Sequence, residues 1–269
     1  MNFSVLLSVY NKECPDYLSG SFESLLEQSV RPNEVVLVKD GPLTPELEAV
    51  IDDYVQKMPY LKVVPLKSNQ GLGKALNEGL KHCTNDIVAR MDTDDICMPN
   101  RFEKQLKVFE LCPETDVVGA WISEFEGDPC NVISVRKLPE THDEIFAYGK
   151  VRCPINHPVV MFKKNAVLAA GGYMHLLLFE DYYLWVRMLL NGARFYNIQE
   201  PLLYFRASEE MFMRRGGYKY AKTEASFLWK MYKIGYVGFV PTVKNIAIRF
   251  TVRIMPNKLR SVVYKKILR

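Results

Sequence analysis

The sequence predicts an α/β protein with a mostly parallel sheet, helices on both faces, and a basic amphipathic helical region at its far end. Three observations predict this. Short apolar runs alternate with segments of helical periodicity through the first third of the chain. Polar clusters recur where those runs stop. The positive charge is concentrated late: residues 225–269 hold ten Lys or Arg and no Asp or Glu, whereas the other 224 residues hold 25 basic and 31 acidic side chains.

Taken in order, Phe3 to Val9 is a short apolar run, as expected of a strand buried on both faces. Tyr17 to Gln28 then places Leu18, Phe22, Leu25 and Leu26 at helical spacing. Glu34 to Val38 is a second buried strand, closed by the turn signal Asp40-Gly41-Pro42. Thr44 is placed to cap the next helix, with Pro45 in its first position and Leu47, Val50, Ile51, Tyr54 and Val55 along one face. Leu61 to Leu66 is a third strand, Gly73 to His82 a third helix, and Asp86 to Met91 a fourth strand that delivers Asp92 at its carboxyl end. Strands and helices alternating at this spacing give a parallel sheet covered on both faces. Ligands of such sheets sit beyond the carboxyl ends of the strands. Ser8 to Asn11, Asp40-Gly41 and Asp92 to Asp95 all fall there and should converge on one crevice.

The second half is less regular. Pro99 and Asn100 precede a helix from Arg101 to Leu111. Val117 to Phe125 and Asn131 to Val135 read as strands joined by the turn Gly127 to Pro129, and Asp143 to Tyr148 as a short helix. Pro158 to Phe162 and Leu202 to Phe205 read as strands, and Tyr182 to Asn191 as an amphipathic helix opened by Glu180-Asp181. Near the end, Val243, Ile246, Ala247, Phe250 and Ile254 lie at helical spacing, with Arg249 and Arg253 away from them. Pro256 breaks this segment, and Leu259, Val262, Val263 and Ile267 form a second apolar stripe among basic residues.

Composition narrows the possibilities. The 48% apolar content is enough for one large core or a domain with an appended module. Six scattered cysteines without a Cys-x-x-Cys pair argue against structural zinc, and with no signal peptide they imply a reducing, cytoplasmic setting. No stretch of 18 uncharged apolar residues exists to span a bilayer. The basic amphipathic tail suits the interface of an anionic membrane, or alternatively a pair of surface helices packed on the domain. Its apolar stripes fit lipid better than a nucleic-acid backbone, so no nucleic-acid partner is expected.

Asp92-Thr93-Asp94-Asp95 places three carboxylates within four residues at the end of a buried strand. Such crowding is costly unless a cation neutralises it. Mg²⁺ and Mn²⁺ take oxygen ligands and commonly share them with substrate phosphates. An acidic turn capping the helix at Arg101 is the bland alternative. Glu180-Asp181 likewise suits either a catalytic pair or a helix start with favourable dipole interactions.

Ser8-Val9-Tyr10-Asn11, Val38-Lys39-Asp40-Gly41, Asn69 with Gly71, Asp92 to Asp95 with Pro99 and Arg101, and Glu180-Asp181 with Leu184-Trp185 follow one another over roughly residues 1–210. In kind and order they resemble family 2 glycosyltransferases, whose GT-A fold is a Rossmann-like, mostly parallel α/β sheet. The resemblance implies a transferase domain over 1–233, with a nucleotide-binding half (1–100) and an acceptor half (101–233), and a membrane-associating tail over 234–269. Ser8, Tyr10 and Asn11 would hold nucleobase and ribose. Asp40, beside Gly41, would accept the N3–H of uracil; the residue before it, acidic in many relatives, is Lys39 here. Asn69, Gly71 and Lys74 would wrap the donor, although Lys74 also suits a solvated helix position. Asp92 would contact the ribose and Asp94 would bind Mn²⁺ or Mg²⁺, with Asp95 behind it. Asp181 would be the general base of an inverting transfer, with Glu180 orienting the acceptor or tuning it.

His157 before a strand is either structural or a contact to acceptor or donor phosphates. Arg206 and the pair Arg214-Arg215 are candidate phosphate ligands, because guanidinium matches phosphate oxygens bidentately. The Arg214 to Gly217 segment resembles one in bacterial O-antigen and exopolysaccharide transferases. That likeness implies a UDP-sugar donor, galactose favoured over glucose, and a GlcNAc-diphospho-undecaprenol acceptor. It further implies a β1,3 bond made at the cytoplasmic face of the bacterial inner membrane. A nucleotidyltransferase is disfavoured by the absence of glycine from Ser8 to Asn11, a processive synthase by the lack of a Gln-x-x-Arg-Trp motif, and a non-catalytic sugar- or lipid-binding module by the presence of both Asp94 and Asp181.

Overall fold

The protein, seen in a computed structural model, is described over residues 1–207 and 216–255. Arg214, Arg215 and the stripe from Leu259 to Ile267 lie outside the described residues. Three βα units open the chain. They comprise β1 (Phe3–Val9), α1 (Pro15–Leu26), β2 (Glu34–Lys39), α2 (Pro45–Lys57), β3 (Leu61–Pro65) and α3 (Leu72–His82). β4 (Ile87–Arg90) and the two-residue β5 (Ile96–Cys97) bracket the aspartate loop. Then follow α4 (Arg101–Leu111), β6 (Thr115–Phe125), β7 (Val132–Arg136), α5 (His142–Tyr148), β8 (Met161–Lys163), α6 (Lys164–Ala169), α7 (Glu180–Leu190) and β9 (Arg194–Arg206). Two helices complete the described chain, α8 (Tyr218–Lys233) and α9 (Phe239–Ile254).

The strands form one sheet in the order β3-β2-β1-β4-β8-β6-β9-β5, with β7 on β6. β1 to β4 are parallel, β8 runs antiparallel between β4 and β6, and β9 returns parallel to β6. Alternation along β1 explains why both faces are covered. Val5, Leu7 and Val9 join the core beneath α1, α2 and α4, whereas Leu6 joins the core that contains Leu76 of α3 and Trp185 of α7. Thr44 caps α2 as its sequence indicates, accepting a hydrogen bond from Leu47 N–H at 3.4 Å.

Three departures from the sequence reading have physical causes. His157–Val159 is a 3-10 turn, and the strand expected from Pro158 begins only at Met161. Proline has no N–H to give a ladder. β9 starts at Arg194, eight residues before Leu202, because Pro201 breaks its strand signature. The sheet takes up this proline opposite Trp121, where the register shifts. α8 carries no element in the sequence reading.

The end of the described chain shows how α9 is attached. α9 forms where the periodicity places it, but its arginines face inward. Glu224 of α8, only 2% exposed, accepts from Arg249 Nη1 at 2.6 Å and from Arg253 Nε at 2.8 Å. The acid that compensates two of the late basic residues thus stands one position before the acid-free run. No helix among the described residues is long and apolar enough to cross a membrane.

Candidate active site

The aspartate loop is held from below by two buried arginines. Arg90 ends β4 and Asp92 lies two residues on, so both point to the same side of the strand. Arg90 is 1% exposed and gives both terminal nitrogens to the Asp92 carboxylate, one of them at 2.6 Å. Burial opposes its charge, but Asp92, with Tyr173 and Asp95 beyond, outweighs burial and raises its pKa. Arg101, the second residue type of the Pro99-x-Arg101 motif, is fully buried at the start of α4. It donates to the Arg90 carbonyl at 2.6 Å and to Gln105 Oε1 at 3.1 Å, and Gln105 in turn donates to the Val118 and Val159 carbonyls. A charged scaffold of this kind fixes the loop from beneath.

The loop itself is short of positive charge. Carboxylate oxygens of Asp92, Asp94 and Asp95 lie within 4.8 Å of one another. Burial, then Asp92 and Glu13, push the Asp94 carboxyl up to about 7. Asp95 is raised well above the ordinary carboxylate range, by burial first and its two neighbours next. One Asp95 oxygen accepts the Arg206 N–H at 2.9 Å, and the other is buried with no hydrogen-bond partner. Thr93 Oγ1 binds Glu13 at 2.8 Å, which ties the turn after β1 to this loop. Three clustered carboxylates, two of them raised and one with an orphaned oxygen, fit a hard divalent cation.

Around this loop the structure brings together most of the sequence-predicted residues. Ser8 pairs with Val38 in the sheet, and Tyr10 and Asn11 follow on an exposed turn. Asp40, buried at the end of β2, accepts from Gln70 N–H at 2.7 Å and Gly71 N–H at 3.0 Å, so it secures the entry to α3. Gly41 has φ +91°, and a Cβ there would lie 2.6 Å from Asn69 N, so only glycine lets the Asn69–Gly71 loop close over it. Lys74 is exposed on α3. Arg206 borders a cleft of about 250 Å³ with Lys12, Glu13, Tyr17 and Asp94. Its Nε and Nη1 donate to the carbonyls of Asp94 and Gly127, and its guanidinium lies 3.8 Å from the Tyr17 ring centre. Arg206 therefore braces the aspartate loop.

The acidic pair opens α7 on the other side of α3. A Cβ on Gly73 would meet Glu180 Cγ at 3.3 Å and Tyr173 Cβ at 3.5 Å, so the starts of α3 and α7 touch. Burial and, with it, Asp181 raise the Glu180 pKa. Tyr173 is the link that sequence reasoning missed. Its hydroxyl is 2.9 Å from His157 Nε2, and its pKa is raised by burial and by Asp181 and Asp92 against the opposing pull of Arg90. His157 is buried, packed against Trp185 and held neutral, its pKa well below the ordinary value through burial and Arg90. It supports Tyr173 from behind. Arg90 and Glu13 were also missed, although a basic residue inside the apolar run Ile87 to Met91 was a readable signal for the former. Tyr173 left none, because the loop that carries it has no periodicity.

Residues 4–166 match the profile of Glycosyl transferase family 2. An amylovoran biosynthesis glycosyltransferase, AmsE of Erwinia amylovora, is 41% identical over 98% of each chain. A UDP-Gal:alpha-D-GlcNAc-diphosphoundecaprenol beta-1,3-galactosyltransferase of Escherichia coli is 39% identical over 99% of this chain and 96% of its own. Among solved structures, residues 1–349 of S. aureus TarS in complex with UDP-GlcNAc superpose with a TM-score of 0.68 at 18% identity, covering 100% of this chain and 76% of that one. That likeness is one of fold.

Proposed function

Since the chain belongs to glycosyl transferase family 2, we propose that it transfers a hexose, galactose favoured, from a UDP-sugar to GlcNAc linked through diphosphate to a lipid. The new bond is β1,3, made with inversion, in the assembly of an O-antigen or polysaccharide repeat at the cytoplasmic face of the inner membrane. The segment after residue 233 keeps the enzyme at that surface. Identity of 39% over nearly the full length of a relative of that named activity supports the donor and acceptor. The single geometric observation that supports the reaction is the contact between the start of α3, which follows the Asn69–Gly71 loop, and the start of α7, where a Cβ on Gly73 would meet Glu180 Cγ at 3.3 Å.

In this reading Ser8, Tyr10, Asn11 and Asp40 hold the uridine, and the Asn69–Gly71 loop with Lys74 closes over the donor. Asp92, kept in place by Arg90, meets the ribose. Asp94, with Asp95 behind it, would hold Mn²⁺ or Mg²⁺, which when bound would offset the negative charge of the departing diphosphate. Asp181 takes the proton of the acceptor hydroxyl as its oxygen forms a bond to the anomeric carbon. The bond from that carbon to the diphosphate oxygen breaks, and its electrons leave with UDP. Glu180 orients the acceptor. Arg206, Arg214 and Arg215 are assigned to the phosphates of donor or acceptor.

The test is transfer from UDP-Gal, UDP-Glc, UDP-GlcNAc and UDP-GalNAc to a GlcNAc-diphospho-lipid with Mn²⁺. UDP-Gal should give product, and EDTA should stop it. No transfer from any donor would overturn the reading. Asp181→Asn should bind UDP with unchanged affinity and lose turnover; equal loss of both would remove Asp181 from its role.

A further inference from the structure

α9 buries its arginines and exposes much of its apolar surface. Its inward arc carries Arg249 and Arg253, bound to Glu224, together with Thr242, Val252 and the half-buried Ile246. Its outward arc carries Val240 (74% exposed), Val243 (44%), Ala247, Ile248 (49%) and Ile254 (52%), with Lys244 and Thr251 as the polar members. Scattered exposed apolar residues are ordinary, but a continuous stripe along one helix marks a contact surface. The stripe is extended by an aromatic group at the turn between the two helices, where Phe239, 53% exposed, lies 6.3 Å from Trp229 and 5.6 Å from Tyr232.

We propose that this outward face, continued by Phe239 and Trp229, is buried in the headgroup region of an anionic lipid bilayer, the apolar residues making the contact and the arginines serving only to hold the helix on the domain. Charge complementarity selects lipid over another protein chain. Lys230, Lys233 and Lys244 are exposed around the face, and residues 225–255 contain no acid. A helix with apolar residues, tryptophan and lysine arranged this way lies in the plane of the interface, its apolar side sunk about 5–10 Å. The inward arc, on the opposite side, ties α9 to the acceptor half: Arg253 stacks 4.6 Å over Tyr220, and Tyr220 is 5.8 Å from Phe179, the residue before Glu180. The inference deepens the membrane contact proposed above for the segment after residue 233 by naming the face that makes it, and it rests on that reading.

The test uses the full chain and sedimentation with vesicles of phosphatidylglycerol and phosphatidylethanolamine. Binding is expected, with a blue-shifted Trp229 emission quenched by brominated lipid and absent from Trp229→Phe. The exposed double variant Val243→Glu/Ile248→Glu should keep the parent melting temperature and lose at least about tenfold in vesicle affinity. Salt at 0.5 M, on the order of a 4 Å Debye length, should weaken binding by far less than this. No vesicle binding, or binding unaltered by the double variant, would overturn the proposal. So would a dimer that the double variant dissociates, which would assign the face to a second copy. A melting temperature lowered by the double variant would assign it to the chain's own residues and overturn it equally. Vesicle binding without transfer to any lipid diphosphate would leave this proposal standing and remove the acceptor. Transfer to a detergent-dispersed acceptor without vesicle binding would do the reverse.

Discussion

Glu224 sits between α8 and α9 with an arginine on either side, and burial, which would raise its pKa, is outweighed by Arg253 and Arg249, so the carboxyl is held below its ordinary 4.5. At the end of β4, three aspartates share Arg90, and burial with mutual repulsion pushes Asp94 up to about 7. Both are buried acidic sites in one chain. In the first, charge is matched within the fold and joins two helices. In the second, three carboxylates crowd together and, among the described residues, Arg90 forms its ion pair with Asp92. Matched buried charge is architecture; a buried surplus that persists needs a reason outside the fold, and a divalent cation with a diphosphate is the reason proposed above.

The sharpest break of this comparison is Asp94→Asn. Turnover with Mn²⁺ is expected to fall about a thousandfold, in line with the several kcal/mol that charge stabilisation of a leaving diphosphate supplies. The metal-free variant should melt no lower than the parent; a large loss of stability would make the aspartate loop architecture after all. Next comes Arg90→Met, which removes the cation of the surplus site. It should cost roughly 3–5 kcal/mol by denaturant titration, and Mn²⁺ should restore part of it. Glu224→Gln comes third, at about 3 kcal/mol, because it strands two arginines, and Mn²⁺ should restore none of that loss.

The smallest effect is in pH, and the two sites should respond with opposite sign. A carboxyl whose folded pKa lies above its unfolded value holds its proton more tightly when folded, so stability falls as pH rises. For Asp94 that window runs from 3.8 to about 7. A carboxyl whose folded pKa is depressed gives stability that is full above its unfolded value and is lost as pH falls through the folded one. For Glu224 that loss begins below 4.5. Melting temperatures of Asp94→Asn and Glu224→Gln, measured against pH with a chelator present, should therefore diverge from the parent at opposite ends of the range. Parallel curves would dissolve the distinction.

Much of the fold over residues 1–100 was legible in the sequence. Buried parallel strands read as unbroken apolar runs, and caps such as Thr44 carry local chemistry that needs no tertiary context. The aspartates were legible because three acids at a strand end conflict with burial. What stayed hidden depends on distant partners. Tyr173 gains meaning only beside His157 and Asp181, and the first half of β9 reads as a loop because Pro201 is tolerated only where β6 shifts register. The periodicity of α9 left its orientation open between a membrane interface and packing on the domain. Helical spacing separates two faces but does not say which one turns inward, and Glu224, thirty residues before the end of α9, decides it.

β9 also has a consequence for how the molecule is made. It pairs with β6 and with β5, so the two-residue strand that closes the aspartate loop has its partner more than a hundred residues later in the chain. During synthesis the first four strands can assemble as they emerge from the ribosome, but β5 and the inner edge of β6 wait until Arg206 has been translated. A fragment ending at residue 166, where the family match stops, would carry every aspartate of the loop and still expose an 11-residue strand along an open edge. Such an edge invites pairing between chains, so the dissected half is expected to aggregate rather than to bind nucleotide.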